Sequence, residues 1–304
     1  MSLPHLISLI ALGAIWGASF LFIRIAAPAL GAFPVAGGRV VIAAVVLTAL
    51  LRLLGQRPAL RAHARELLVL GAINAAIPFA LISAAEVHVT ASLAAMLNAT
   101  IPFWGTSAGV VWLGERAGTR RIVGLLLGLV GIVAIVGWSP IVWSRATVLA
   151  VIAMLVACCS YVAGGIYARR RLAHVAPPTL ALGQQVAAAA WLVGPALLQA
   201  PSARVEAGPL LALLALGVVC TAGAYLLFFR LLAAIGPTRT TTVAYLFPMF
   251  GALWGALFLG ERVTGGMVLG FAVVLASVLL VNEVRLPRLS LLRRTSAPEA
   301  RRAA

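Results

Sequence analysis

The chain has 304 residues, 63% of them hydrophobic and 10% charged, where soluble domains hold roughly half and a quarter. That composition excludes a water-soluble globular protein and places the chain in a bilayer. The formal net charge of +16 would suggest nucleic acid in a soluble protein; here the basic residues flank apolar runs, so the charge is read as membrane orientation and no nucleic-acid partner is expected.

A helix needs about 20 apolar residues to cross the hydrocarbon core. Runs of that kind occupy residues 6–26, 34–54, 66–85, 90–113, 119–138, 146–168, 178–198, 209–232, 238–259 and 265–282. The expected fold class is an all-α membrane protein of ten transmembrane helices. The four residues before the first apolar core carry no Lys or Arg, and that core is longer than a signal-peptide core, so a retained helix is expected rather than a cleaved leader. Cys158, Cys159 and Cys220 fall inside runs and are expected as small buried fillers, not disulfide partners.

Arginine is spread unevenly. With the N-terminus inside, the inner segments hold Arg52, Arg57, Arg61 and Arg65, then Arg116, Arg120 and Arg121, then Arg169, Arg170 and Arg171, then Arg230 and six more beyond residue 284. The outer connections hold Arg145, Arg204 and Arg262, with Arg24 and Arg39 near the outer ends of the first two helices. Both termini are therefore expected in the cytoplasm, with the chain multi-pass in a bacterial inner membrane.

The chain also repeats itself. Ile101-Pro-Phe-Trp-Gly105-x3-Gly109-x3-Leu113-Gly-Glu-Arg116 is answered by Phe247-Pro-Met-Phe-Gly251-x3-Gly255-x3-Leu259-Gly-Glu-Arg262, each position 146 residues later (262 − 116), and the register continues to Gly124 and Gly270. Backwards, the same offset pairs Ala76 with Ala222 and Phe79 with Tyr225; the first and sixth runs correspond at an offset shorter by one, Trp16 facing Tyr161. A unit of five helices forces its second copy upside down, the sequence trace of inverted-repeat carriers. The expected organisation is an N-terminal five-helix repeat over 1–138, an inverted one over 139–284, and a disordered basic cytoplasmic tail over 285–304 that can touch anionic membrane lipid. Glycines four apart at Gly13/Gly17, Gly105/Gly109, Gly124/Gly128, Gly251/Gly255 and Gly266/Gly270 are expected as helix-packing seams.

Pro78, Pro102 and Pro248 lie in the middle of the third, fourth and ninth runs and free the carbonyls four residues earlier, those of Asn74, Asn98 and Ala244. Two of these carbonyls sit on residues with amide side chains, so polar foci are expected near the bilayer midplane, either closing the kinks or facing water. Aromatic and hydroxyl residues share these regions: Trp16, Ser19 and Phe20 on the first run, Phe79 on the third, Trp104 on the fourth, Tyr161 on the sixth, Thr221 and Tyr225 on the eighth, Tyr245 on the ninth. Each is either a packing residue or part of a mostly apolar pocket with a few polar atoms that orient a ligand. These nine, with Asn74, Pro78, Asn98, Pro102 and Pro248, form the candidate substrate-binding set.

Absences narrow the chemistry. Glu66, Glu115, Glu261 and Glu283 lie at helix ends, Glu86 at the outer end of the third run, Glu206 in a loop and Glu299 in the tail, so no mid-membrane carboxylate is on offer for a proton relay or a cationic drug. His5, His63, His88 and His174 lie at ends or in loops, and no nucleotide motif or nucleophile constellation occurs. Neither enzyme activity, cofactor nor metal is expected. Arg39 has three readings: snorkelling outward, pairing with Glu86 or Glu261, or receiving a substrate carboxylate. Pairing ranks first.

At Pro248-x2-Gly251-x3-Gly255-x3-Leu259-Gly-Glu-Arg262, with Ile15-Trp16-Gly17-x2-Phe20 and Arg39, the chain resembles the EamA-type members of the drug/metabolite transporter superfamily over residues 6–283, and within them the YddG-type exporters of aromatic amino acids. The resemblance implies ten helices in two inverted halves and a central cavity lined by helices 1, 3, 4, 6, 8 and 9. Ala224 stands where internal symmetry would put a proline. The expected function is export of small neutral or zwitterionic metabolites, chiefly aromatic and other apolar amino acids, by alternating access and by a monomer. A multidrug or nucleotide-sugar carrier, or a passive channel or scramblase, is the alternative.

Overall fold

Long runs of Leu, Val, Ala and Gly leave a backbone in lipid few ways to satisfy its hydrogen bonds, and the α-helix satisfies them all within one segment. The computed structural model describes residues 2–113, 118–199, 206–240 and 242–281. Gly114, Glu115 and Arg116 of the first motif copy, Arg204, Glu283 and the expected tail over 285–304 lie outside the described residues. The helices are α1 (Leu3–Leu30), α2 (Ala32–Leu53), α3 (Ala64–Gly71), α4 (Ile77–Ala85), α5 (Ala91–Asn98), α6 (Ile101–Leu113), α7 (Thr119–Gly137), α8 (Arg145–Arg171), α9 (Pro177–Leu198), α10 (Ala207–Gly217), α11 (Ala224–Ile235), α12 (Pro237–Thr240), α13 (Val243–Leu259) and α14 (Gly265–Val281), with no strand among the described residues. Six continuous helices are long and apolar enough to cross a membrane: Leu3–Leu30, Ala32–Leu53, Arg61–Ala85, Arg145–Arg171, Pro177–Leu198 and Ala207–Ile235. Shorter apolar helices cover Ile122–Gly137, Val243–Leu259 and Gly265–Ser277. Leu126, Val130, Val133, Leu257 and Phe258 are exposed, a surface that only a bilayer solvates without penalty.

Two rods carry a π-helical segment, Ala72–Ala76 between α3 and α4 and Val218–Gly223 between α10 and α11. Their first residues are 146 positions apart (218 − 72), the offset of the sequence repeat. Pro78 follows the first, whereas Ala224 holds the matching place after the second, so proline is not what both segments share. Both follow a glycine pressed against a neighbouring helix. A Cβ on Gly71 would lie 2.8 Å from the Ala188 nitrogen, and one on Gly217 would lie 2.6 Å from the Ile42 Cβ.

Glycine seams set the helix pairs and their directions. A Cβ on Gly17 of α1 would lie 2.7 Å from the Phe247 carbonyl and 2.8 Å from the Gly251 nitrogen, so α1 and α13 touch backbone to backbone. In the pair α7 and α14, Gly128 meets Ser277, Gly131 meets Val274 and Gly270 meets Ile135. One position rises as the other falls, so these helices run antiparallel. Ala95 and Ser92 of α5 meet Gly251 and Gly255 of α13 in the same antiparallel sense, as Gly31 and Gly37 at the start of α2 meet Gln199 and then Ala196 and Leu192 of α9. Small residues at such contacts supply van der Waals attraction that water does not supply in lipid. Gly105 is no part of a seam: the nearest side chain stands 3.9 Å from where its Cβ would be.

Two expectations are corrected. The run 90–113 is two helices, because the chain turns at Ala99 and Thr100, where the Thr100 hydroxyl donates to the Leu97 carbonyl at 2.6 Å. Side-chain donors reach two carbonyls beside these elements, that of Ile73, from Ser160 Oγ at 2.5 Å, and that of Leu97, from Thr100. Arg39 makes no ion pair among the described residues. The Glu261 carboxylate is held by the N-terminus of α5 instead, where aligned backbone dipoles favour an anion.

Candidate substrate cavity

A cavity of about 350 Å³ lies among the helices, bordered by Asn74 of the first π segment, by Asn98 and Ile101 on either side of the Ala99–Thr100 turn, and by Tyr225 just after the second π segment. Its wall is built by Trp16, Ser19, Phe20 and Ile23 of α1, Arg39 of α2, Asn74 of the first π segment, Phe79 and Ile82 of α4, Asn98 of α5, Ile101 of α6, Tyr161 of α8, Tyr225 and Phe228 of α11, and Phe247 of α13. The volume falls at the lower end of small-molecule sites, about 300–1,000 Å³.

Aromatic rings fix its shape. Phe20 and Phe247 stack at 6.3 Å between centroids, Trp16 and Phe228 are tilted at 5.5 Å, and Phe79 and Tyr161 meet edge to face at 6.5 Å. Packed rings hold few rotamers, so the cavity is a rigid, mostly apolar slot. The polar atoms are few and mostly tied. Asn74 Nδ2 donates to Gln184 Oε1 at 3.0 Å, and Gln184 Nε2 donates to the Tyr225 hydroxyl, a chain linking the first π segment, α9 and α11. Gly164 makes room for Asn74: a Cβ there would lie 2.6 Å from Asn74 Oδ1. Arg39 Nε donates to Thr221 Oγ1 at 2.8 Å, and its guanidinium carbon lies 3.9 Å from the centre of the Phe79 ring.

Of the residues singled out in the sequence, Trp16, Ser19, Phe20, Asn74, Phe79, Asn98, Tyr161 and Tyr225 meet at this wall. Pro78, Pro102, Trp104, Thr221, Tyr245 and Pro248 do not line it. Trp104 donates to Thr100 Oγ1 at 3.1 Å and packs on Phe103, so it braces the α5–α6 turn. Thr221 stands fully buried behind Arg39, accepting from it and donating to the Leu216 carbonyl at 2.8 Å. Pro248 is buried within α13, and Pro78 within α4.

Sequence reasoning missed Ile23, Ile82, Ile101, Phe228 and Phe247 as wall residues and placed Arg39 elsewhere. A signal existed for three: Ile23, Ile82 and Phe228 each lie three residues beyond a residue already chosen, one turn along the same helix face, whereas Ile101 follows the Ala99–Thr100 turn. Glu86 is fully buried, and its carboxylate oxygens make no hydrogen bond among the described residues. Arg24 donates instead to the backbone carbonyls of Glu86 and, at 2.9 Å, Val87.

The EamA-like transporter family model matches this chain twice, over residues 3–137 and 148–283. The uncharacterized inner membrane transporter YedA of Escherichia coli strain K12 is 27% identical over 295 residues, 92% of this chain and 91% of that protein. The uncharacterized transporter YvbV of Bacillus subtilis strain 168 is 24% identical over 196 residues, 62% of this chain and 63% of that protein. A solved crystal structure covers 91% of this chain and 96% of its own at a TM-score of 0.64 and 18% identity, a likeness of fold. With helical rods of membrane length and two successive matches spanning nearly all of its described residues, this chain belongs to the EamA-like transporter family.

Proposed function

We propose that this protein is an inner-membrane carrier that exports small neutral or zwitterionic metabolites, aromatic and other apolar amino acids foremost. It works by alternating access between two inverted five-helix halves, ten spans in all, with both termini in the cytoplasm. The observation that carries the reading is the ring-lined cavity of about 350 Å³, to which residues from both halves contribute. The antiparallel seams of α7 with α14 and α5 with α13, and the π segments at the repeat offset, support the inverted arrangement. Glu261 bonds to the start of α5 and Arg24 to the end of the α4 rod, contacts that would close the cavity at the end this reading assigns to the outside.

No carboxylate lines the cavity among the described residues, which leaves it without a group to trade a proton for substrate. Transport then runs down the substrate's own gradient or by exchange. The test is uptake of phenylalanine, tryptophan and leucine into proteoliposomes, with a cationic dye and a nucleotide sugar as rivals. Saturable amino-acid uptake that survives collapse of the proton gradient supports the reading; uptake of only the dye or the sugar overturns it.

A further inference from the structure

We infer that the cavity selects its substrate by a carboxylate group, received by the guanidinium of Arg39, and that monocarboxylates with an apolar or aromatic body are its preferred ligands. This rests on the reading of the cavity as the substrate site and narrows it.

Arg39 is 7% exposed, and it is the one charged side chain among the residues that line the cavity. Two contacts hold it still. Its Nε is engaged by Thr221 Oγ1, itself oriented by the Leu216 carbonyl, and the Phe79 ring lies under its plane. Its two terminal nitrogens bond to no described residue, yet they are not sealed in protein, since the unpartnered buried polar atoms belong to Ser19, Glu86, Gln185 and Ser277. They therefore face the cavity.

A buried guanidinium that makes no ion pair is unfavourable, and a ring face with one hydroxyl offsets that only in part. The terminal pair forms a planar fork that matches a carboxylate with two parallel hydrogen bonds. Nothing in the wall answers an ammonium in the same way: it would find amide and phenol oxygens and ring faces, but no acid. The carboxylate of an amino acid is therefore its recognised handle. An analogue that lacks the amino group keeps the whole charge match, whereas one that lacks the carboxylate loses it.

The test is calorimetric binding to the detergent-purified full chain of three ligands of one shape: phenylacetate, phenylacetamide and phenethylamine. The unaltered protein should bind phenylacetate at least about tenfold tighter than phenylacetamide, as a charge-assisted pair requires, and should bind phenethylamine more weakly still. Arg39→Gln should erase the difference and Arg39→Lys keep part of it. Equal binding of phenylacetate and phenylacetamide, no binding of phenylacetate, or an Arg39→Gln protein that keeps the full preference each overturns the inference. Should Arg39→Gln fail to fold, the three ligands on the unaltered chain still decide. Carboxylate-selective binding by a protein that moves nothing in liposomes would remove the transport reading alone. Equal transport of phenylalanine and its amide would remove the selection alone.

Discussion

The carboxylate of Glu261 grips Ser92 twice, accepting from its backbone N–H at 2.8 Å and from its hydroxyl at 2.6 Å, while the Ala91 N–H donates to the other oxygen at 2.7 Å. Glu261 belongs to the Leu-Gly-Glu-Arg segment that follows α13, and Ser92 opens α5, so the motif is an N-terminal cap supplied across helices. Gly260, at φ +64, turns the chain so that the carboxylate can reach. The first copy of the motif lies outside the described residues.

Removing that carboxylate leaves two backbone donors without their acceptor and the Ser92 hydroxyl with only the Ala252 carbonyl, at 3.5 Å. Glu261→Ala should cost about 0.5–2 kcal/mol, the range for a lost helix cap, and Glu261→Gln less, because one acceptor oxygen remains. Thermal unfolding in detergent reads the order, and an Ala variant as stable as the parent would remove the capping role.

The seam between α1 and α13 makes a second prediction. Gly17→Ala drives a methyl into the backbone of Phe247 and Gly251 and should destabilise the protein by roughly 1–3 kcal/mol, as overpacking does. Gly165→Ala, where a Cβ meets nothing within 4 Å, should be neutral or slightly stabilising. The pair of melting curves checks both.

The chain from Asn74 through Gln184 to Tyr225 gives a third. Gln184→Leu strands an amide and a phenol in the protein interior, on the order of 1–3 kcal/mol for the groups left unpaired. It should also raise the KM for amino-acid uptake, because Asn74 and Tyr225 both line the cavity. An unchanged KM with an unchanged melting point would show that the chain positions nothing.

Helix positions were largely legible because the apolar runs are long: even the run broken by Gln184 and Gln185 is a helix, Pro177–Leu198, with both amides buried. The π segments were not legible. Ala72–Ala76 carries Asn74 but no residue that signals a change of helix register, and Gly71 before it presses on α9, a contact between residues more than a hundred positions apart. The cavity wall was half legible for the same reason. Residue type flagged Trp16, Asn74 and Tyr225, but whether Trp104 or Ile101 points inward depends on helix rotation after the Ala99–Thr100 turn, which neighbours set. Arg39 was misplaced because its obvious partners were acids, while the π segment offered Thr221.

Orientation has its own test. In a background with Cys158, Cys159 and Cys220 replaced by Ala, a membrane-impermeant maleimide added to intact cells should label cysteine introduced at Arg262 and spare cysteine introduced at Arg116. Labelling at both positions or only at Arg116 would contradict the inverted halves.

The most direct measurement is counterflow. Proteoliposomes preloaded with unlabelled phenylalanine and diluted into a trace of labelled phenylalanine should take up label transiently above its external concentration, then release it, as one cavity exposed to each side in turn requires. Label that merely equilibrates at the same rate with or without preloading would mean an open pore or an inert protein, and the alternating-access account would fail.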